Sequence, residues 1–145
     1  MVATLDYTRL AVGAELPAKR VTVSRLSCLL HGGPTMRLDF AATHWSERIA
    51  REVGLPDIIL HGPFTLAKTL EIVNDWTGDP GAIVEHHIRL RKPVVVPDDG
   101  VGAVFDVTGV VRDKLDGNRV VLELTATSPA GELLATADVT VVLKA

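Results

Sequence analysis

An acid, an imidazole and a glycine amide are the groups of this 145-residue chain whose types and spacing suggest chemistry. Asp39 lies five residues before His44, and Gly62 begins a long apolar segment further along the chain. An imidazole titrates near neutral pH and can take a proton from water, while a carboxylate facing the same water can orient it or shuttle a second proton. The alternative is that Asp39 and His44 are ordinary loop residues that share no site.

Gly62 is predicted to contribute its backbone N–H. A glycine amide at the start of a buried helix is aligned with the helix dipole, which suits an oxygen that gains negative charge. The missing Cβ lets a carbonyl group approach closely. The neighbouring His61 is predicted to be a satisfied histidine at the helix start, with the placement of Gly62 as a by-product.

The segment from Leu60 to Ala82 is predicted to form the helix that presents this amide. Pro63 suits a first helical turn because its missing N–H would have no partner there, and Gly78 followed by Pro80 ends the helix. A narrow polar stripe on an otherwise apolar circumference predicts a core helix rather than a surface one. The stripe comprises Lys68, Glu71 and Asp75, and the apolar positions are Phe64, Leu66, Ala67, Leu70, Ile72, Val73 and Trp76.

After this helix the hydrophobic period changes from that of a helix to that of a strand. Short turns between the later segments predict antiparallel hairpins between sequence neighbours. A one-sided antiparallel sheet that follows one buried helix is expected to curl around it. The segments are 83–92, 103–112, 119–127 and 132–144, with a shorter strand at 18–24. Their apolar faces comprise Val84, Ile88 and Leu90; Ala103, Phe105, Val107 and Val111; Val120, Leu122, Leu124 and Ala126; and Leu133, Ala135, Ala137, Val139, Val141 and Leu143.

The pattern before the long helix is less regular. Residues 1–13 are predicted to form a mobile leader into a turn, and a helix that opens at Leu26 is expected to break at residues 31–34, His-Gly-Gly-Pro. Ser46 is expected to cap a short helix that ends at Gly54. The buried side of that helix is predicted to be Ile49, Ala50 and Val53.

Composition bounds the class of protein. Nearly half of the residues are apolar, the formal charge is −3, and no cluster of Lys and Arg lies beside aromatic residues, so a nucleic-acid partner is not expected. The length suits one globular domain over residues 1–145. Cys28 is the sole cysteine, which precludes an internal disulfide and predicts a packed thiol. No signal-type or membrane-spanning run is found, so a cytoplasmic protein without a membrane partner is expected.

With this architecture, the chain resembles the hot-dog fold of the MaoC-like dehydratases, also called (R)-specific enoyl-CoA hydratases. The likeness is closest to the small actinobacterial type that serves as the catalytic subunit of a fatty-acid-synthase 3-hydroxyacyl dehydratase. Asp39 and His44 keep the spacing of the family motif Gly-Asp-x-Asn-Pro-x-His, whereas Leu38, Ala41 and Ala42 stand in place of its glycine, asparagine and proline. The other matching segments are residues 12–17, 52–55, 61–62 and 75–82.

The resemblance implies a hydro-lyase that reversibly hydrates trans-2-enoyl thioesters and dehydrates (R)-3-hydroxyacyl thioesters in acyl metabolism. Asp39 and His44 would be the catalytic pair, and Gly62 would be the oxyanion donor. The substrate would be carried on coenzyme A or phosphopantetheine, and no other cofactor is implied. Two other functions stay open: a non-catalytic accessory subunit or acyl-thioester binder, suggested by the altered motif, and, less favoured, an acyl-CoA thioesterase.

The resemblance also implies a dimer, because family members pair their sheets and place the acyl tunnel between subunits. A homodimer and a heterodimer with another hot-dog subunit are both compatible with it.

Two sets of polar residues lie on or beside the predicted strand 83–92. His86 and His87 are adjacent and point to opposite faces, so they make a poor metal site; ordinary sheet residues are expected, and no metal is predicted. Arg89, Arg91 and Lys92 are expected to form a solvated strand face. The alternative is that these three cations meet the phosphates of the coenzyme A or phosphopantetheine arm.

Overall fold

The computed structural model describes residues 5–35 and 42–143. The helices within these ranges are α1 (Arg25–Thr35), α2 (Glu47–Glu52) and α3 (Gly62–Thr77). The strands are β1 (Glu15–Val23), β2 (Ile83–Leu90), β3 (Ala103–Leu115), β4 (Arg119–Thr127) and β5 (Leu133–Val142). Two short 3₁₀ turns, Ala42–His44 and Pro80–Ala82, precede α2 and β2.

The five strands form one antiparallel sheet in the order β1-β3-β4-β5-β2, and α3 contacts β1, β3 and β2. This arrangement is the hot-dog fold that the resemblance implied. The core lies between the helix and the sheet, where Phe105, Val107, Leu122, Leu124 and Val139 are fully buried. The predicted inward faces of β3 and β4 are confirmed, because alternate apolar residues on both strands are removed from water.

Helix α3 begins and ends as its sequence predicts. Gly62 is its first residue, Pro63 lies in the first turn, and Gly78 closes the helix in the left-handed conformation at φ 66°. Two of its buried positions are polar, Thr65 and Thr69, and each hydroxyl donates to a carbonyl one turn earlier. The predicted apolar circumference is wrong at Ala67, which is exposed, because the sheet covers only one side of the helix.

The predicted hairpin between β2 and β3 is wrong. These strands lie on different parts of the sheet, since β2 pairs with β5 at one edge whereas β3 lies between β1 and β4. The connecting segment crosses the molecule and pairs instead with residues before α3. The Leu60 N–H donates to the Val94 carbonyl at 2.9 Å, and the Val96 N–H donates to the Ile58 carbonyl at 2.8 Å. The hairpins β3–β4 and β4–β5 are confirmed.

Two predicted apolar faces differ from those observed. On β5 a register irregularity between Ala126 and Thr127 of its partner strand leaves Leu133 40% exposed and buries Leu134 in its place. On β2 the apolar residues Val84 and Leu90 are 57% and 51% exposed, because β2 is an edge strand and no strand of residues 5–35 and 42–143 pairs with its outer side.

The predicted break of the first helix at residues 31–34 is wrong. Helix α1 runs through residues 31–34 instead of breaking there. Glycine costs only about 1 kcal/mol in a helix interior, and the His31 ring anchors α1 by stacking on Phe64 at 4.3 Å. Ser46 caps α2 as predicted, but Val53 is 63% exposed because the helix ends one residue before it.

The predicted mobile leader is also wrong where the structure describes it. The Tyr7 hydroxyl donates to the Leu115 carbonyl at 2.9 Å, and the Gly13 N–H donates to the Val111 carbonyl at 2.8 Å. The Lys114 ammonium lies 4.4 Å from the centre of the Tyr7 ring. Residues 5–13 therefore pack against β3 rather than projecting from the domain.

Candidate functional site

His44 is held at the end of the short turn before α2. Its Nδ1 lies 2.8 Å from the carbonyl oxygen of Ile59, so Nδ1 carries the proton and donates it. In the neutral ring Nε2 then holds the free lone pair, as a general base requires. The Ile59 N–H in turn donates to the Thr43 carbonyl at 3.1 Å. Ile59 thus fixes both the backbone before His44 and the tautomer of its ring.

Gly62 presents its amide at the first position of α3. His61 is the N-cap and Pro63 has no N–H, so the Gly62 N–H stands at the positive end of the helix dipole. Among the residues that the structure describes, no atom accepts a hydrogen bond from this N–H. The geometry therefore leaves one aligned donor at the helix start for an external acceptor.

His44 and Gly62 line the same cavity, which has a volume of about 290 Å³. Leu90 and Val94 supply apolar walls, and Thr65 lies one turn into the helix. The chain after β2 closes the rim and contributes polar side chains. The cavity thus combines a base, an amide donor and an apolar surface, as a site for a carbonyl compound with an alkyl chain would.

The third predicted site residue, Asp39, lies outside the described residues, as do Leu38 and Ala41 of the altered motif. The structure therefore places His44 and Gly62 together and says nothing of Asp39. Ala42, in place of the motif proline, is the first residue of the turn that ends at His44.

A column of aromatic rings lies beside the site, and sequence reasoning missed it. The His44 and His61 rings stack with centroids 3.9 Å apart, and His31 lies 5.5 Å from His61 on α1. Burial, aided by the nearby His61, holds the pKa of His31 below its ordinary value. Three histidines far apart in sequence gave no local signal, because only the crossing of α1 with the start of α3 brings them together.

The cations that follow β2 have different surroundings. Arg89 faces Asp138 at 3.6 Å, and Lys92 pairs with Glu132. Arg91 lines the cavity with His44 and Gly62, and no carboxylate of the described chain pairs with its guanidinium. Lys92 is thus paired, and Arg89 shares Asp138 with Arg112. Arg91 is a cation at the cavity rim.

Cys28 is fully buried, and burial raises the pKa of its thiol, which confirms the packed role predicted for it. His86 and His87 lie on β2 as expected, and both are exposed. No helix in the described part of the chain is both long and apolar enough to cross a membrane.

Comparisons with known proteins agree with the fold. A family model for the MaoC like domain matches residues 18–128. A solved MaoC-like dehydratase is 28% identical in sequence to this chain and superposes with a TM-score of 0.88. The matched region covers 97% of this chain and 43% of the dehydratase chain. This chain therefore spans less than half of that relative. A search of curated proteins finds no match.

Two further solved structures are similar in fold. The unliganded (R)-hydratase PhaJ1 from Pseudomonas aeruginosa is 19% identical with a TM-score of 0.77, covering 94% of this chain and 84% of its own. The second is the C-terminally truncated HadBC complex from Mycobacterium tuberculosis, a (3R)-hydroxyacyl-ACP dehydratase. It is 20% identical with a TM-score of 0.71, and the match covers 89% of this chain and 95% of the HadBC chain.

Proposed function

The chain belongs to the MaoC-like domain family, and from that premise we propose that it is a hydro-lyase acting on acyl thioesters. It would hydrate trans-2-enoyl thioesters and, in reverse, dehydrate (R)-3-hydroxyacyl thioesters. The observation that carries this proposal is the meeting of the His44 imidazole and the Gly62 N–H in one cavity. The (R)-hydratase and the dehydratase among the similar folds support the same reaction class.

Each group has a defined task in the proposed hydration. His44 Nε2 accepts a proton from water while the water oxygen forms a bond to C3 of the enoyl group. The electron pair of the C2–C3 double bond moves toward the thioester, whose oxygen becomes an enolate and accepts a hydrogen bond from Gly62. Asp39 is proposed to orient the water or to deliver the second proton, which C2 receives. Dehydration uses the same steps in reverse.

The surroundings of the two groups fit an acyl substrate on a phosphate-bearing carrier. Leu90, Val94 and Ile59 provide apolar contact for the acyl chain beside the thioester. Arg91 at the rim provides a cation for a phosphate of coenzyme A or phosphopantetheine. All three cations are exposed, as the sequence predicts, and the phosphate contact is proposed for Arg91 alone.

The partner is proposed to be a second hot-dog subunit that adds to the edge strand β2. The other edge, β1, is interrupted by a register irregularity between Leu16 and Lys19 and contains Pro17, which discourages further pairing. On β2 the register irregularity lies near the start of the strand, between Ile83 and Glu85, and residues 85–90 pair regularly with β5. Val84 and Leu90, near the two ends of β2, are exposed. A strand with these features is an open site for antiparallel addition.

A second copy of this chain would complement β2 in one particular register. Antiparallel pairing of two β2 strands about a two-fold axis at His87 places Val84 opposite Leu90 and Glu85 opposite Arg89. The first pair would bury the two exposed apolar side chains, and the second would match opposite charges. We propose this homodimer as the unit that completes the acyl tunnel.

The proposed reaction is tested with crotonyl-CoA and longer enoyl-CoAs, following the loss of enoyl absorbance. The purified chain is expected to hydrate at least one of them, and Asp39→Asn and His44→Asn are expected to abolish most of the activity. If the chain hydrates none, alone or with a hot-dog subunit encoded beside it, the hydro-lyase proposal is wrong.

The altered motif favours one competing function, a non-catalytic accessory subunit. That function predicts an active complex in which Asp39→Asn and His44→Asn leave the rate nearly unchanged. Release of free thiol without loss of enoyl absorbance would indicate a thioesterase instead.

A further inference from the structure

The guanidinium of Arg25 lies where three segments of the chain meet, and the reaction described above gives it no role. Arg25 is the first residue of α1, and its side chain is only 23% exposed. Nη2 donates to Asp57 Oδ1 at 2.5 Å, Nη1 donates to Glu47 Oε2 at 3.2 Å, and Nε donates to the Val96 carbonyl at 3.3 Å. The Asp98 carboxylate lies further from Nη1, at 3.6 Å, and is largely exposed.

Each of the three segments carries part of the candidate site. Glu47 begins α2 shortly after the turn that ends at His44. The segment 57–62 ends with the amide donor and contains the carbonyl that accepts from the His44 ring. The segment 94–96 supplies an apolar wall of the cavity. The guanidinium therefore joins the pieces of backbone that carry the base, the donor and the wall.

Few backbone hydrogen bonds join these segments to one another. The Ile59 N–H donates to the Thr43 carbonyl at 3.1 Å, and segments 58–60 and 94–96 share two backbone bonds. The contacts of Arg25 add further fixed points at residues 47 and 57, each a few residues along the chain from a site group. A short segment that is held at two separated points keeps the residues between them in place.

Arginine suits this task by its shape. Its planar guanidinium directs hydrogen-bond donors outward from three nitrogens at once, whereas the ammonium of lysine is a compact point charge. Each of the three nitrogens here contacts a different segment. Asp57 is the most buried of the acids, with 14% of its side chain exposed, and its Oδ1 also accepts the Ile58 N–H at 2.7 Å. One carboxylate thus couples Arg25 to the backbone just before the carbonyl that holds the base.

We propose that Arg25 is a positioning residue, whose guanidinium fork sets the separation of His44 from the Gly62 amide. The inference rests on the proposed hydro-lyase function for its effect on rate. Arg25 does not line the cavity, so it acts through Glu47 and Asp57 rather than by touching the substrate. Misplacement of a catalytic group by about 1 Å costs on the order of 10²-fold in rate.

The rate test compares Arg25→Met, which keeps the alkyl stem, with Arg25→Lys, which keeps the charge. Urea unfolding first establishes that each variant is folded in the assay. Both variants lose the fork, so kcat for enoyl-CoA hydration is expected to fall by about 10- to 100-fold in each, with KM within about threefold of wild type. A wild-type kcat in Arg25→Lys would show that one charge suffices and would overturn the proposal.

Two variants of α2 give a milder comparison should the Arg25 variants fail to fold. Glu47→Ala removes the contacts with both Arg25 and Arg51, whereas Arg51→Ala removes only the second. We expect kcat to fall by about 3- to 10-fold in Glu47→Ala and to stay at the wild-type value in Arg51→Ala. Equal kcat in the two variants would contradict a role for the Arg25 contact.

Amide hydrogen exchange gives a readout that does not need activity. In Arg25→Met the Ile59 and Val96 N–H groups, which bond to neighbouring segments, should exchange at least about 10-fold faster relative to amides at the centre of β4 than in the wild type. A merely structural role would speed all of these amides by one factor, and that result would overturn the inference. An inactive wild type would overturn the proposed function, while the exchange ratio would still decide whether Arg25 holds these segments.

Discussion

A β-carbon placed on Gly62 would lie 2.9 Å from Cδ1 of Leu90, so a side chain from the edge strand occupies the space that the missing Cβ leaves. Leu90 also lines the cavity that contains His44. The absence of a side chain at Gly62 therefore permits the packing of β2 against the start of α3. Under the proposed function it would also allow a substrate oxygen to approach the amide.

Gly62→Ala is expected to lower kcat/KM by about 10- to 100-fold, because the new methyl group meets the incoming carbonyl at the oxyanion donor. The free energy of unfolding should change by less than about 1 kcal/mol, since the half-exposed Leu90 side chain can move aside. Enoyl-CoA hydration and urea unfolding measure the two quantities. Ala67→Gly, at an exposed position of the same helix, is a control for backbone effects. A normal rate in Gly62→Ala would contradict the close approach of a substrate carbonyl to this residue.

His44→Asn should separate the structural role of His44 from its chemical one. Asparagine places an N–H near the position of Nδ1, so it can still donate to the Ile59 carbonyl, but it has no atom in place of Nε2. Stability should remain within about 1 kcal/mol of the wild type, while the rate falls by about 10²- to 10⁴-fold.

His44→Leu supplies the comparison, since it leaves the Ile59 carbonyl without its donor. It should lose about 1–3 kcal/mol in urea unfolding because a part-buried carbonyl is left unsatisfied. If Asn and Leu variants were equally destabilised, the hydrogen bond seen in the structure would not contribute to folding.

Stability is expected to fall as the solution becomes acidic, in part through His31. Burial lowers the pKa of His31 in the folded chain, so the unfolded chain takes up a proton first as the pH drops. The contribution is therefore fully present above the ordinary pKa of 6.5 and is lost as the pH falls through and below it. Urea midpoints across this range should decline less steeply for His31→Phe, which keeps the stack on Phe64, than for the wild type; equal slopes would contradict the assignment.

The fold was largely predictable because its signals are local. Pro63 and Gly78 fix the ends of α3, and the period-two patterns of β3 and β4 coincide with their buried faces. The order of the strands was not predictable in full, because the pairing of β2 with β5 depends on contacts between distant segments. The sequence of the connection 91–102 predicts a turn, yet in the structure its backbone is hydrogen-bonded to residues 58–60.

Only two residues of the described site could be predicted from the sequence. His44 and Gly62 have residue types and positions that suggest chemistry, and the structure brings them together. Ile59 and His61 were not predictable as neighbours of the His44 ring. The first contributes a carbonyl that every residue has, and the second stacks on the ring, which requires the backbone of residues 43–44 to lie beside the start of α3.

Arg91 is expected to contribute to the carrier end of the substrate. Arg91→Gln should raise KM for enoyl-CoA several-fold and leave kcat nearly unchanged, because the lost charge contacts a phosphate equally in the ground and transition states. The same variant should show no change with an N-acetylcysteamine thioester, which has no phosphate. Lys92→Gln is the matched control, since Lys92 is paired with Glu132; a similar rise in that variant would assign the effect to net charge.

The two-fold register proposed for β2 makes a charge-exchange prediction. Glu85 would face Arg89 of a second copy, and the two-fold axis would repeat this pair. Glu85→Arg should therefore place an arginine opposite Arg89 at both positions and weaken association. Glu85→Arg combined with Arg89→Glu should restore the dimer, because the opposite charges are again paired. Light scattering during size-exclusion chromatography measures the mass, with 15.5 kDa for one chain. A wild type that stays monomeric at all concentrations would exclude the proposed homodimer. If the double variant fails to reassemble, the axis does not pass through His87.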